Sequence, residues 1–321
     1  MEEKQTKKWN AKKILKLVGN AVSLLSIVFI VRAVIVLGFD FSHVDNWPVF
    51  LAVVLLSVLI KTATVFVSGT AWYGWLAYFT GKKDKLKEAV VVYAKANIGK
   101  YLPGNVMHYV ERNLFADKLG MSQKKLAAAS VLEVLTLITV AFLMAVLVSA
   151  NQLKLALYKV FGERYLIVIC AVLFAGVIFV LLVFAVFRKK IRDFLKENSL
   201  KELVLTVLRN MLLNGIVLFS LGTIMVILYC YMGGVFTLSS AALIVSGYVI
   251  AWVLGFVVPG APGGIGVREL VITLLLGNVM GEGMVVTLSV THRLITIIGD
   301  FLAYVLRLAL VERKPAGKYP K

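Results

Sequence analysis

Two copies of one short pattern contain residues suited to anion binding. The pattern Gly-x3-Pro-Gly-x7-Arg covers residues 99–112 and recurs 156 residues later at 255–268. Its fixed residues are Gly99, Pro103, Gly104 and Arg112 in the first copy and Gly255, Pro259, Gly260 and Arg268 in the second. Proline removes a backbone donor and glycine relaxes helical geometry, so each Pro-Gly pair predicts a break between two helices. The helix after such a break exposes unpaired N–H groups, which bind anions and phosphate in particular.

We call residues 99–112 and 255–268 the first and second elbow. The second elbow has further glycines that would let a headgroup approach the backbone closely. They are Gly263, Gly264 and Gly266. In the first elbow, His108 and Arg112 lie four residues apart on one helical face, beside Glu111, which suits a phosphate or zwitterionic headgroup. The alternatives are that the elbows are cytoplasmic turns and that this face is an ordinary solvated surface.

Ionisable residues also occur within long apolar runs, where they usually face a protein interior or a pathway. These residues are Glu133, His292, Arg293 and Asp300. Arg293 and Asp300 are seven residues apart, which is two turns along one helix face. Glu133 and Arg293 occupy corresponding places after the two elbows, so we hypothesise a buried ion pair between them. Such groups either contact a substrate or only hold helices together. Lys61 and Arg32 are interpreted as structural, with Lys61 extending its ammonium toward water.

The predicted headgroup-binding side chains are Arg112, Arg268, Arg293, Glu133, His108 and Glu269. No catalytic motif accompanies them in the sequence: there is no P-loop, no His-Glu-x2-His and no Cys/His metal spacing. We therefore expect no catalytic residue, no metal and no cofactor. An ATP-driven pump in one polypeptide is excluded for the same reason.

Composition indicates which elements position these residues. Of 321 residues, 60% are hydrophobic and 16% are charged, and the mean hydropathy is +0.90. Soluble domains are roughly 45–50% apolar and 25% charged, so soluble and disordered proteins are excluded. Long continuous apolar runs favour helices over barrel strands. The runs long enough to cross a bilayer cover about 14–37, 48–79, 126–150, 165–187, 207–232, 236–258 and 284–311.

Loop charges predict the orientation of these runs. Segment 80–125 has ten basic and four acidic residues and 188–209 has seven and three, whereas 38–48 and 231–239 have no Lys or Arg. Both termini are therefore expected on the cytoplasmic side of the plasma membrane. This requires an even number of crossings, so the short apolar segment 265–281 is expected to cross as a broken helix. The alternative is that it turns back inside the bilayer.

The predicted fold is an all-α polytopic membrane protein with about eight transmembrane helices. The elbows are its broken or re-entrant elements and belong to an internal two-fold repeat, an arrangement typical of transporter substrate sites. Residues 1–13 are predicted to be a basic cytoplasmic N-terminus and 312–321 a cytoplasmic tail. Between them, 14–311 form one membrane domain with repeat halves of about 14–187 and 205–311.

The elbows resemble conserved blocks of the flippase-like membrane domain of lysylphosphatidylglycerol synthases. The signature of that domain is similar to the second elbow from Pro259 to Glu269, and its first conserved block is similar to residues 99–112. Glu133 and Arg293 fall where the family often keeps charged residues, and the resemblance covers about 10–311. Full-length members carry a cytoplasmic domain that transfers lysine from lysyl-tRNA to phosphatidylglycerol. Because this chain ends at Lys321, we expect that domain and its activity to be absent.

The leading hypothesis is a lipid translocase that moves a charged lipid between leaflets. The resemblance implies lysyl-phosphatidylglycerol, another anionic or aminoacylated phospholipid, or a polyprenyl-phosphate-linked lipid. One alternative is a non-transporting membrane partner of a separate lipid synthase or glycosyltransferase. Another is phosphatidylglycerol lysyltransferase, the activity in the family name. The expected partners are membrane lipids rather than nucleic acid, because the net charge of +18 lies in loops between apolar runs.

Overall fold

The computed structural model describes residues 44, 46–81, 83–101, 107–116, 121–164, 167, 199–257, 264, 267–280 and 282–310. Within these ranges the regular structure is entirely helical, which confirms the predicted all-α class. The predicted span 14–37 and all but one residue of 165–187 lie outside the described residues.

Eight α-helices occur in the part of the chain that the structure describes. They are α1 Trp47–Thr80, α2 Leu86–Ala96, α3 Met107–Phe115, α4 Gln123–Phe161, α5 Leu200–Tyr231, α6 Leu238–Val257, α7 Val267–Met280 and α8 Glu282–Leu310. A 3-10 turn, Asn97–Tyr101, continues α2, and a second, Gly162–Arg164, follows α4.

Four of the described helices contain segments long and apolar enough to cross a membrane. These segments are Trp47–Thr80, Gln123–Ala145, Leu200–Tyr231 and Leu238–Phe256. The 34 residues of α1 extend about 51 Å at 1.5 Å per residue, well beyond the ~30 Å hydrocarbon core of a bilayer. α1 therefore tilts or projects from the membrane. Its bounds follow from its caps: the Asn46 side chain accepts a hydrogen bond from the Val49 N–H, and Gly81 ends the helix at φ 69°.

Helices flank the Pro-Gly pair of the first elbow, as its sequence pattern predicts. α2 and its 3-10 turn end at Tyr101, and α3 begins at Met107. The described parts of this segment, 86–101 and 107–112, lie inside the protein rather than in a solvated loop, because each has a buried side. Its most buried apolar residues are Ala89, Ala94, Ala96, Ile98 and Tyr101. Pro103 and Gly104 lie outside the described residues.

The second elbow joins α6 to α7. Pro259, Gly260, Gly263 and Gly266 lie outside the described residues, and Gly264 lies within them. α7 has 14 residues and therefore extends about 21 Å, which is less than the thickness of the hydrocarbon core. One residue separates its end from α8, which packs against it. The predicted short helix at 265–281 is thus a separate helix of less than membrane length.

Two apolar clusters stabilise the bundle. The larger lies mainly on α5, α6, α7 and α8, with Leu218, Ile224, Tyr248 and Leu276 at its centre. The second joins the C-terminal half of α1 to α2, α3 and α4 around Trp72 and Trp75. Residues of both clusters also line one polar cavity, which places that cavity where the two halves of the bundle meet.

Candidate functional site

A cavity inside the bundle receives side chains from all eight described helices. About 120 Å³ of it admits the centre of a water-sized molecule, so it has room for several waters or a small polar group. We call it the central cavity. Five cations and two carboxylates line it, so its wall carries an excess of positive charge. They are Lys61, Lys100, Arg112, Arg268, Arg293, Glu133 and Asp300.

Asp300 of α8 binds four other side chains at the central cavity. Its Oδ1 lies 2.6 Å from Nζ of Lys61 and accepts a 2.8 Å hydrogen bond from the Asn97 amide. Its Oδ2 lies 2.6 Å from Nζ of Lys100 and accepts a 2.6 Å hydrogen bond from the Tyr101 hydroxyl. We call these five residues the Asp300 cluster. It connects α1, the first elbow and α8 through a single carboxylate, which is fully buried.

Arg112 is held in an aromatic cage with one carboxylate. Its guanidinium forms an ion pair with Glu133, which also accepts a 3.0 Å hydrogen bond from the Tyr93 hydroxyl. The guanidinium carbon lies 3.8 Å from the ring centroid of Tyr93, 5.0 Å from that of Tyr109 and 5.7 Å from that of Trp72. Stacking on aromatic faces and pairing with a carboxylate are the two interactions that suit guanidinium best. The charge of Arg112 is therefore balanced within the protein, although its buried Nε has no hydrogen-bond partner among the described residues.

Arg268 lies in the first turn of α7 and differs from Arg112 in its surroundings. No ion pair or hydrogen bond joins it to another of the described residues, and its buried Nε has no hydrogen-bond partner among them. Its guanidinium carbon lies 5.6 Å from the ring centroid of Trp252. The side chain is partly buried and lines the central cavity. Arg268 thus presents to this space a positive charge that has no ion-pair partner among the described residues.

Two glycines of the second elbow make room for Arg268. A Cβ at Gly255 would lie 2.5 Å from Cγ of Arg268, and one at Gly264 would lie 2.8 Å from its Nε and 2.8 Å from the Gly255 carbonyl oxygen. Gly264 also has φ 75°, which L side chains rarely adopt. The sequence predicts close approach of a headgroup to Gly264, whereas in the structure Arg268 occupies the space beside it.

The hypothesised ion pair between Glu133 and Arg293 is wrong. Glu133 is paired with Arg112, while Nε of Arg293 lies 3.9 Å from Oε1 of Glu269 on α7. The pairing differs because α3 lies beside α4 and brings Arg112 to Glu133. α7 lies beside α8 and brings Glu269 to Arg293. Arg293 and Asp300 do share one face of α8, as predicted, since both line the central cavity.

The remaining predicted residues of the first elbow lie close together. His108 is buried and lines the central cavity, with its ring 3.8 Å from that of Tyr109. Glu111 lies against the backbone of Gly99. A Cβ at Gly99 would be 2.9 Å from Oε2 of Glu111 and 3.0 Å from the His108 backbone nitrogen. Gly99 is therefore required by the close approach of α3 to the 3-10 turn. His292 has a structural contact, because its Nε2 lies 3.0 Å from the Leu221 carbonyl oxygen.

Several residues of the cavity have no counterpart in the predicted site. Lys61 is buried and paired with Asp300, so its interpretation as a residue that extends toward water is wrong. Lys100, Tyr101 and Asn97 reach the same carboxylate from the 3-10 turn Asn97–Tyr101. One available signal is the place of Lys100, three residues before the Pro-Gly pair in a segment predicted to be intramembrane. Their common partner could not be read from the sequence, because it lies about 200 residues away.

The residues of this cavity belong to a known family of membrane domains. A model described as the lysylphosphatidylglycerol synthase TM region matches residues 16–303. The chain belongs to this family. The family match includes both elbows, the Asp300 cluster, the Arg112–Glu133 pair and Arg268, so the cavity is part of the family domain. A search of curated proteins finds no match for the chain. With its apolar, membrane-length helices, the chain is a membrane domain of this family, which is consistent with a role in lipid handling.

Proposed function

We propose that this protein is a lipid translocase that binds the phosphate of a charged lipid in the central cavity and moves the headgroup between leaflets. The observation that supports this most strongly is Arg268, whose guanidinium faces a polar cavity and has no carboxylate partner among the described residues. A charge inside an apolar bundle without a partner is costly, and an anionic ligand would supply that partner. Arginine keeps its charge when desolvated and offers phosphate a planar, bidentate fork.

In this proposal the other predicted residues shape the same headgroup site. Arg293 is paired with Glu269, the residue next to Arg268 on α7, and the Arg112–Glu133 pair and His108 line the same cavity. A translocase needs a polar site within an apolar bundle, because headgroup atoms lose their water on leaving the interface. The central cavity is of this kind, since it is lined by charged groups and surrounded by membrane-length helices. Membership in a family of lipid-synthase membrane regions supports a lipid as the ligand.

We also propose the finer topology expected from the sequence: eight crossings, cytoplasmic termini, residence in the plasma membrane and a two-fold repeat. The repeat is supported by the order of the described helices. In both α1 to α4 and α5 to α8, a long helix is followed by a shorter one, then by a short helix after the elbow, and then by another long helix. Arg112 and Arg268 occupy corresponding places after the two breaks. In alternating access, the two elbow regions would open the cavity to one leaflet at a time.

The test is a leaflet-exposure assay on protein reconstituted into vesicles that contain fluorescent phosphatidylglycerol. We expect the wild-type protein to equilibrate the probe between leaflets. Arg268→Ala should abolish this activity, and Arg268→Lys should reduce it less because a point charge is kept. Thermal unfolding of each variant in detergent serves as the folding control, and Arg164→Ala, at an exposed position, serves as the charge control.

Two outcomes would overturn the proposal. If vesicles with wild-type protein exchange no lipid faster than empty vesicles, the non-transporting alternative is favoured. If Arg268→Ala flips lipid normally, or loses flipping only in step with its thermal stability, Arg268 does not bind the headgroup.

A further inference from the structure

We infer that the central cavity selects lipids whose headgroup carries two negative charges on phosphate, such as a phosphomonoester or a diphosphate, over singly charged or cationic headgroups. This inference rests on the proposed function, because it names the substrate class of the same site. It follows from which cations in the cavity are balanced by carboxylates and which are not.

Two of the five cations are each matched by one carboxylate. Arg112 is paired with Glu133, and both side chains are almost fully buried. Arg293 is paired with Glu269, at 3.9 Å between Nε and Oε1. Neither pair adds net charge to the cavity.

Two positive charges remain. Lys61 and Lys100 share Asp300, each with its Nζ 2.6 Å from a carboxylate oxygen, so that this group of three carries one excess positive charge. Arg268 has no carboxylate partner among the described residues and adds a second. Both excess charges belong to side chains that line the same cavity.

The elbow residues outside the described part do not supply the missing negative charge. Segments 102–106 and 258–263 contain no Asp or Glu in the sequence. Glu111, the nearest carboxylate of the first elbow, lies against Gly99 and is not among the cavity-lining residues. Among the described residues and these two segments, no further carboxylate balances the excess, and a doubly charged phosphate group matches it.

The exposures within the Asp300 cluster indicate how a ligand could engage it. The side chain of Lys100 is 24% exposed, against 8% for Lys61 and 1% for Asp300. Lys100 can turn toward a phosphate while Lys61 stays on Asp300, so the carboxylate keeps a cationic partner. Lys100 and Arg268 would then hold the phosphate from the two elbow regions. A lysyl-phosphatidylglycerol headgroup, which carries two ammonium groups and one phosphate, would add positive charge to the cavity instead.

Equilibrium binding to the purified full chain in detergent tests this selectivity. The probes are phosphatidic acid, phosphatidylglycerol and lysyl-phosphatidylglycerol with identical acyl chains, at about pH 8, where a phosphomonoester is close to doubly ionised. We expect phosphatidic acid to bind at least about tenfold more tightly than phosphatidylglycerol, and lysyl-phosphatidylglycerol to bind most weakly. Inorganic phosphate and pyrophosphate are tested alongside, to separate a lipid site from a site for free phosphate.

Variants locate the selectivity within the cavity. Arg268→Gln and Lys100→Gln should each reduce the preference for phosphatidic acid to about threefold or less. Arg268→Lys, which keeps the charge, should retain most of it. Arg164→Gln removes a positive charge at an exposed position and should leave the preference unchanged. Thermal unfolding identifies any variant that fails to fold. If Arg268→Gln fails to fold, the lipid preference of Arg268→Lys is compared with that of the wild-type protein instead.

The outcomes separate this inference from the proposed function. The inference would be overturned by equal binding of the three lipids or by tighter binding of lysyl-phosphatidylglycerol. It would also be overturned if Arg268→Gln and Lys100→Gln left the preference for phosphatidic acid unchanged. In each of these cases, flipping of any of the lipids would still support a translocase. Selective binding of phosphatidic acid without flipping would overturn the translocase and leave the selectivity intact. Pyrophosphate that binds as tightly as phosphatidic acid would show a site for free phosphate and overturn the lipid class.

Discussion

The ammonium of Lys61 lies 2.6 Å from a carboxylate oxygen of Asp300, although 239 residues separate the two in the sequence. Because Lys61 is on α1 and Asp300 on α8, this contact fixes two long helices to each other inside the bundle. Lys100 binds the other carboxylate oxygen, so the same group also holds the first elbow. The wall of the central cavity on this side depends on one acidic residue.

We therefore expect Asp300→Ala to be strongly destabilising. The change would leave Lys61 without its only described ion-pair partner and Lys100 without its carboxylate, and breaking a buried pair in this way costs about 3–5 kcal/mol. The measurement is the free energy of unfolding in detergent or mixed micelles. Asp84→Ala, which removes an exposed carboxylate 3.7 Å from Lys85, should change it little. Similar stability of the two variants would contradict the role given to Asp300.

Arg112 and Glu133 should be energetically coupled. Each single alanine variant leaves one charge buried without its partner, whereas the double variant removes both, so the effects on unfolding should be less than additive. A double-mutant cycle should give a coupling of about 1–3 kcal/mol. Arg112→Ala combined with Arg164→Ala is the control and should be additive. Additive effects of Arg112→Ala and Glu133→Ala would show that the ion pair does not form in the membrane-like environment.

Gly255→Ala should impair function through Arg268. The new methyl group would lie 2.5 Å from Cγ of Arg268, which would have to leave its place beside Trp252. We expect lipid flipping to fall at least about tenfold, a loss of more than about 1.4 kcal/mol in the interactions that position Arg268. Gly215→Ala is the matched control: it lies within α5, and the nearest side-chain atom would be 3.8 Å away. It should be tolerated, since alanine is the better helix former.

Residues 86–101 should exchange their amide hydrogens slowly. They form α2 and a 3-10 turn, pack against α1 and α8, and include several fully buried side chains. Hydrogen exchange of the reconstituted protein should protect these amides about as well as those of α1, because both open only when the bundle opens. Rapid exchange throughout the segment would mean that the first elbow is a solvated loop.

The sequence determined the class of the fold and the positions of its breaks. Long apolar runs must form helices in a membrane, because every backbone N–H and C=O needs a partner there. Helices accordingly occur at the predicted runs 48–79, 126–150, 207–232, 236–258 and 284–311. The breaks at the Pro-Gly pairs could also be predicted from the sequence, because proline and glycine interrupt a helix through their own backbone properties. Sequence reasoning also singled out Arg268, which the structure brings to the cavity.

Only the tertiary structure decided which charges meet. Glu133 is paired with Arg112 rather than Arg293, and Lys61 reaches Asp300, because these contacts depend on which faces of distant helices pack together. The periodicity of a sequence shows which residues share one face of a helix, but it does not show which other helix packs against that face. The same limit applies to Gly255 and Gly264: their spacing indicated a break, but only the fold shows that they make room for Arg268. Charges many residues apart come together through packing, and packing is a property of the whole bundle.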